Sequence, residues 1–160
     1  MDAAHPKYSL QEIERRWLAD ASRLGDYQSS AHLTIQDRYL TGTGLRLRKM
    51  QPDGGETVYK LGKKYGRSGS YVEPITNIYL SPQEYVALAE LDGRSVRKIR
   101  YAFAGGSLDL YSNPNDGLII FELEFSSIEA ARRYVPPAFV REEITDNARY
   151  SGAALAFPLL

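Results

Sequence analysis

The chain has no cysteine, which excludes disulfides and thiolate metal sites and fits a reducing compartment. It has no net charge either: 20 Lys+Arg balance 20 Asp+Glu. That excludes the general basic field that drives nonspecific nucleic-acid binding. Histidine is scarce, and neither His5 nor His32 has a paired ligand spacing, so both read as surface or structural residues. No apolar run approaches the roughly 20 residues of a membrane span. The opening Met1-Asp2-Ala3-Ala4-His5-Pro6 lacks the apolar stretch of a signal peptide. A soluble, cytoplasmic protein with no nucleic-acid or membrane partner is expected. At 160 residues it is most simply one domain, 1–160, able to bury a real core.

What is present is charge arranged at period two. In Tyr8 to Trp17 the core Glu12-Ile13-Glu14-Arg15-Arg16 places Glu12, Glu14 and Arg16 on one face of a strand, with Ile13 and Trp17 on the other. Two carboxylates about 6–7 Å apart along one strand face suit a divalent-metal site better than a hydrophobic core. The device returns in Phe121-Glu122-Leu123-Glu124-Phe125, while Leu45-Arg46-Leu47-Arg48 puts two guanidiniums on one face. Acids at both ends and bases between them suggest a polyanion site built from many strands.

Alternation and turn signals predict eight strands, at 8–18, 32–41, 44–50, 56–63, 71–80, 95–103, 107–112 and 117–125. Pro52-Asp53-Gly54-Gly55, Gly66 to Gly69 and Asn113 to Gly117 mark turns. Ser81-Pro82-Gln83-Glu84 is a capping signal for a helix running to Leu91, stopped by Asp92-Gly93. A second helix spans Ile128 to Tyr134, before Pro136-Pro137.

Across these strands Ile13, Leu47, Leu108, Phe121 and their kin form an apolar set, and the charged residues take the opposite faces. An open antiparallel sheet would make the charged face simply the wet one, crossed by salt bridges. A closed barrel would put the charges inside, with the apolar side outward and partly covered by the helices. Eight strands leave an interior able to hold a small ligand. Buried charge must be paired or neutralised, and a metal–polyphosphate complex would neutralise both signs.

In order and spacing the motifs resemble the CYTH domain, or triphosphate tunnel metalloenzymes, over nearly the whole chain. Glu12, Glu14 and Arg16 match that family's Glu-x-Glu-x-Lys, and Tyr39-Leu40 its second-strand Tyr-Leu. Arg46-Leu47-Arg48 is similar to its Arg-x-Arg, and Lys98-Ile99-Arg100-Tyr101 to its Lys-Thr-Arg-Tyr. Leu108-Asp109-Leu110-Tyr111 and Glu122-Leu123-Glu124-Phe125 resemble its acidic strands; Thr145-Asp146, Arg149-Tyr150 and Leu155-Ala156 resemble its C-terminal segment. The resemblance implies a mainly β fold, an eight-stranded antiparallel barrel tunnel with short helices outside. It also implies magnesium- or manganese-dependent hydrolysis of tripolyphosphate, thiamine triphosphate or nucleoside triphosphates; a smaller group of members cyclises ATP.

On that reading Glu12, Glu14, Asp109, Glu122 and Glu124 are metal-ligand candidates, since these hard ions favour oxygen. Arg46, Arg48, Lys60, Arg100 and Arg149 would bind phosphates. Arg16, Tyr39 and Lys98 are the catalytic candidates, Tyr39 by hydrogen-bonding Arg16 or Lys98. Three departures stand out. Arg16 replaces the signature lysine, and a guanidinium does not readily give up its proton. Val72 to Asn77 lacks the family's Arg-x-Glu-x-Glu, and Ala148 replaces a C-terminal lysine. The fourth-strand lysine is Lys60 by parity, or Lys63 if Gly62 forms a bulge, with Lys64 adjacent. Rival readings are an adenylyl cyclase on this scaffold and a noncatalytic triphosphate-binding module. The apolar outer face of such a barrel leaves room for a homodimer.

Overall fold

A computed structural model of the chain describes residues 6–67 and 71–159. His5 and part of the turn expected over Gly66 to Gly69 lie outside the described residues. The strands are β1 (Leu10–Ala19), β2 (His32–Leu40), β3 (Leu45–Pro52), β4 (Val58–Lys64), β5 (Val72–Leu80), β6 (Gly93–Phe103), β7 (Gly106–Asn113), β8 (Ile119–Glu124) and β9 (Val140–Glu143). The helices are α1 (Pro82–Ala89) and α2 (Ile128–Arg133). Among the described residues no helix is long and apolar enough to cross a membrane.

Eight antiparallel strands run in the order β5-β4-β3-β2-β6-β7-β8-β1, and β1 returns to β5, closing a barrel. One edge of β1 is divided. Leu10–Ile13 pairs with β5, while Trp17–Ala19 pairs with β9. The open-sheet alternative is thereby removed, and β9 is an addition to the eight strands expected. It escaped a pattern search because Val140-Arg141-Glu142-Glu143 is short and has no apolar alternation.

Directly opposed residues share a face, so the register sorts the side chains. Arg16 opposes Glu122, Glu14 opposes Glu124, Glu12 opposes Glu73, Arg100 opposes Asp109 and Arg48 opposes Asp37. All of these point into the barrel.

The outward face of β1, β6, β7 and β8 carries Trp17, Tyr101, Leu108 and Phe121, which form one core with Leu24 and Phe139 from the covering segments. Trp17 stacks on Phe121 at 5.8 Å between ring centroids and meets Tyr134, just after α2, at 5.6 Å. Arg15 belongs to this outer layer. It forks onto Glu143 of β9 at 2.6 and 2.8 Å, donates to the Ala131 and Tyr134 carbonyls, and lies over Trp17. It thus fixes α2 and β9 to the barrel wall.

α1 begins with the capping box expected of Ser81 and Glu84. It sits against β3, β4 and β5, with Tyr85 4.7 Å from Tyr59.

A second apolar cluster lies inside the barrel. Leu18, Val96, Tyr111 and Ile120 point inward from β1, β6, β7 and β8, and Ile144, Leu155 and Ala156 of the C-terminal segment pack among them. Asn115, in the β7–β8 turn, holds that segment: its Nδ2 donates to the Leu155 and Phe157 carbonyls, and its Oδ1 accepts from the Leu159 amide.

Candidate functional site

The barrel interior is a lattice of opposite charges carried at period two on neighbouring strands. Asp109 is fully buried on β7. Its carboxylate takes both Arg100 Nε and Nη2, at 2.6 and 2.7 Å, and is also bonded by Lys98 Nζ. Arg100 reaches on to Glu122, which accepts from Arg16 Nε at 3.0 Å. Arg16 is 3.8 Å from Glu14 and donates Nη1 to the Tyr150 carbonyl at 2.8 Å. On the far wall Asp37 takes a two-pronged bond from Arg48 at 2.6 and 2.7 Å, with Arg46 Nε 3.9 Å away.

The carboxylates divide into two kinds. Glu12, Glu14 and Glu124 bring ligand oxygens within 4.8 Å of one another. Asp109 and Glu122 accept directly from Arg16, Lys98 and Arg100, whereas within the cluster Glu12 is held by Lys64 and, among the described residues, Glu14 has only the longer contacts to Arg16 and Arg67. Burial, reinforced by Glu122 and Glu12 and opposed by Lys64 and Arg16, pushes Glu14 up to about 7. Burial acts the same way on Glu122, yet Arg100, Lys98 and Arg16 together hold it well below the usual carboxylate range. Of this coupled pair, Glu14 is therefore the one that takes up a proton first. Burial also works against Asp37, but Arg48 outweighs it and keeps Asp37 below its ordinary value. For Arg16, burial alone would lower the pKa; Glu122, Tyr111 and Glu14 reverse this and raise it.

Lys64 supplies the cation of the fourth strand. It lies 2.5 Å from Glu12 and 3.6 Å from Glu73. Pairing runs through Gly62 without a register shift, so no bulge turns Lys63 inward; its Nζ lies over Tyr65 instead. Lys60 opposes Arg48, as parity required, but its Nζ lies over the Tyr79 ring. A Cβ at Gly62 would run into the Asn77 side chain and come within 3.4 Å of Arg46 Nη2, so the glycine leaves that guanidinium its space.

Two candidates sit differently from the sequence reading. Tyr39 packs among the inner apolar residues, and its hydroxyl lies against Gly152 rather than on Arg16 or Lys98. Arg149 is exposed on the C-terminal turn. Conversely, Asp37, Arg67 and Glu73 join the lattice without having been singled out from the sequence, as does Lys64, one of the three fourth-strand lysines left open there. Arg67, from the β4–β5 connection, lies 3.9 Å from Glu14 and 3.6 Å from Asp146.

Among the described residues two buried side-chain polar atoms have no hydrogen-bond partner, Arg46 Nε and Arg67 Nη1, although Arg46 Nε keeps its 3.9 Å ion pair to Asp37. Both are donors on guanidiniums of the charged interior. A buried donor left unpaired costs about 1–3 kcal/mol, which an anion would recover. Three clustered carboxylates offer hard oxygen ligands of the kind magnesium and manganese use.

No protein-family model matches the chain. It is similar to an inorganic triphosphatase of Nitrosomonas europaea, at 29% identity over 94% of this chain and 99% of the relative. The crystal structure of the inorganic triphosphatase NE1496 matches with a TM-score of 0.58 at 26% identity, covering 95% of this chain and 96% of its own. A second crystal structure, of the hypothetical protein NE1496, gives 0.57 at 29% identity, covering 91% and 97%.

Proposed function

We propose that the chain is a metal-dependent triphosphatase of the CYTH, or triphosphate tunnel, type. Its substrate would be inorganic tripolyphosphate before thiamine or nucleoside triphosphates. The observation that carries the reading is the joint presence, inside one barrel, of a three-carboxylate cluster and arginines with unpartnered buried donors. End-to-end similarity to an inorganic triphosphatase supports the same choice. A cytoplasmic setting fits the lack of cysteine.

Glu12, Glu14 and Glu124 would hold a magnesium or manganese ion. When bound, it supplies neutralisation of phosphate charge and polarisation of the phosphoryl group. Arg46, Arg48, Lys98 and Arg100, with Lys60 and Lys64 on the fourth strand, would line the phosphate chain. Hydrolysis forms a bond from a water oxygen to the terminal phosphorus and breaks the bridging P–O bond, whose electron pair leaves with the shortened chain. Catalysis of this kind is mostly positioning and electrostatics, which a fixed lattice of guanidiniums supplies. Arg16 serves by charge. Its guanidinium is raised, doubly hydrogen-bonded and enclosed, and does not accept a proton.

The test is a panel of tripolyphosphate, thiamine triphosphate and ATP with magnesium and with manganese, reading phosphate release and cyclic AMP. Orthophosphate from tripolyphosphate, stopped by chelator and by Glu124→Gln, is expected. Glu124 is exposed, so that change should leave the fold intact. Cyclic AMP from ATP, or tight binding with no product from any substrate, would overturn the reading.

A further inference from the structure

We propose that Lys64 is a built-in counter-cation of the carboxylate cluster, and that it yields this place readily to a metal ion only when a phosphate chain is present to receive its ammonium. The inference rests on the triphosphatase reading for the two ligands; its test reads binding, not turnover.

Lys64 is the last residue of β4 and shares the inward parity of Lys60 and Gly62. The register carries it to the wall made by β5 and β1. It opposes Ile75, Ile75 opposes Leu10, and one same-face step away Glu12 opposes Glu73. Its Nζ lies 2.5 Å from Glu12 Oε2 and 3.6 Å from Glu73 Oε2. Glu12 is one of the three carboxylates whose oxygens gather within 4.8 Å. An ammonium has donors and no acceptor, so a place among acids satisfies it as it satisfies them. Arg67 also approaches the cluster, 3.9 Å from Glu14, but its Nε is shared with Asp146 at 3.6 Å. Lys64, with the shorter contact, is the closer counter-ion.

Lys64 and a metal ion compete for the same carboxylate, and two cations on one carboxylate repel. Releasing Lys64 to admit metal alone turns its ammonium toward Arg46 and the other interior cations, where it is repelled again. A phosphate chain removes that cost. From Lys64 to Gly62 is one same-face step, about 6–7 Å along β4, and Gly62 opposes Arg46. A lysine side chain spans about that distance. The Lys64 side chain is 39% exposed, so packing does not lock it onto Glu12, and it can turn toward a phosphate held by Arg46. A flexible stem with a compact charge suits such a move, whereas a planar guanidinium fork does not. Metal and phosphate thereby assist each other through one residue, and by linkage the help is equal in both directions.

Two binding measurements on the full chain test this. The first is manganese affinity without phosphate, read from loss of the free-ion EPR signal. Lys64→Met should bind manganese at least tenfold tighter than the parent. Lys63→Met removes the same charge one residue away on the opposite face, where Lys63 lies over Tyr65, and should shift the affinity less than about twofold. The second is calorimetric binding of tripolyphosphate in chelator. Lys64→Met should stay within about threefold of the parent, because Lys64 is then engaged by Glu12. Lys64→Ala repeats both measurements in case methionine disturbs the fold. Unchanged manganese affinity in both Lys64 variants, or a gain as large in Lys63→Met, would overturn the proposal and leave the triphosphatase reading standing. A tenfold loss of tripolyphosphate binding in chelator would also overturn it, making Lys64 a standing phosphate ligand instead. No manganese binding by the parent or by either Lys64 variant would overturn the metal site and this proposal together.

Discussion

Asp37→Asn should be among the most damaging conservative changes in the barrel. Asp37 is almost wholly buried, and both its oxygens accept from Arg48, while Arg46 lies 3.9 Å away. The amide keeps the volume but removes the charge and presents an N–H₂ to guanidinium donors. Breaking a buried ion pair from one side typically costs about 3–5 kcal/mol, most of it the stranded charge. For a chain of this length each kcal/mol lowers Tm by about 2–4 °C, so a fall of about 6–20 °C is expected in calorimetry. The stranded arginines should then welcome an anion. Saturating tripolyphosphate should raise the Tm of the variant more than that of the parent, because it supplies the missing negative charge as well as its own contacts. Adding Arg48→Met to Asp37→Asn should recover part of the loss. A fall in stability below about 1 kcal/mol, with equal ligand shifts, would show that Asp37 does not hold these arginines in place.

Arg16→Lys should lose about 1.5–3 kcal/mol, since an ammonium cannot span both Glu122 and the Tyr150 carbonyl as the guanidinium does. Its turnover should not rise; a tenfold gain, about 1.4 kcal/mol of barrier, would assign the position a proton-accepting role instead. Gly152→Ala should cost about 1–3 kcal/mol by collision with the Tyr39 hydroxyl, and Tyr39→Phe should partly rescue it in thermal melts. The hydrogen bond from Arg15 holds Glu143 below the ordinary carboxylate value of 4.5. A depressed acid contributes stability above its unfolded pKa and loses it as pH falls through the folded one. The parent should therefore lose more stability than Glu143→Gln on acidification below pH 4.5, as seen in denaturation series at fixed ionic strength.

The period-two charge pattern carried the barrel because each inward residue alternated with an apolar outward one, as in Arg46-Leu47-Arg48 and Glu122-Leu123-Glu124. Where that contrast failed, the reading failed. Asp37 stands between Gln36 and Arg38, so nothing marks its face; only its place two residues before Tyr39 could have placed it inward. Lys64 follows Lys60 and Gly62 in the same parity but lies one residue past the expected strand, 56–63, so it stayed one of three lysines left open there. Arg67 comes from a connection, where periodicity says nothing. The inner apolar cluster was illegible for another reason. Leu18, Val96 and Ile120 are apolar on the side that is charged elsewhere, because there the C-terminal segment rather than a ligand fills the barrel.

That change of character along the interior also explains how a chain with no net charge can hold a polyanion site. Each guanidinium has five donors, and Arg48 spends two on Asp37, as Arg100 does on Asp109. The two-pronged bonds fix the planes of those guanidiniums and leave other donors for a ligand, so the carboxylates aim the arginines rather than merely cancel them. Glu12, Glu14 and Glu124 are arranged otherwise. They crowd one another, and burial with neighbouring acids already drives Glu14 toward protonation. A cluster of that kind is relieved by a cation, whereas the arginines, with Arg46 Nε and Arg67 Nη1 lacking hydrogen-bond partners, are relieved by an anion. A divalent metal bound to a phosphate chain answers both demands at once, and neither component alone does.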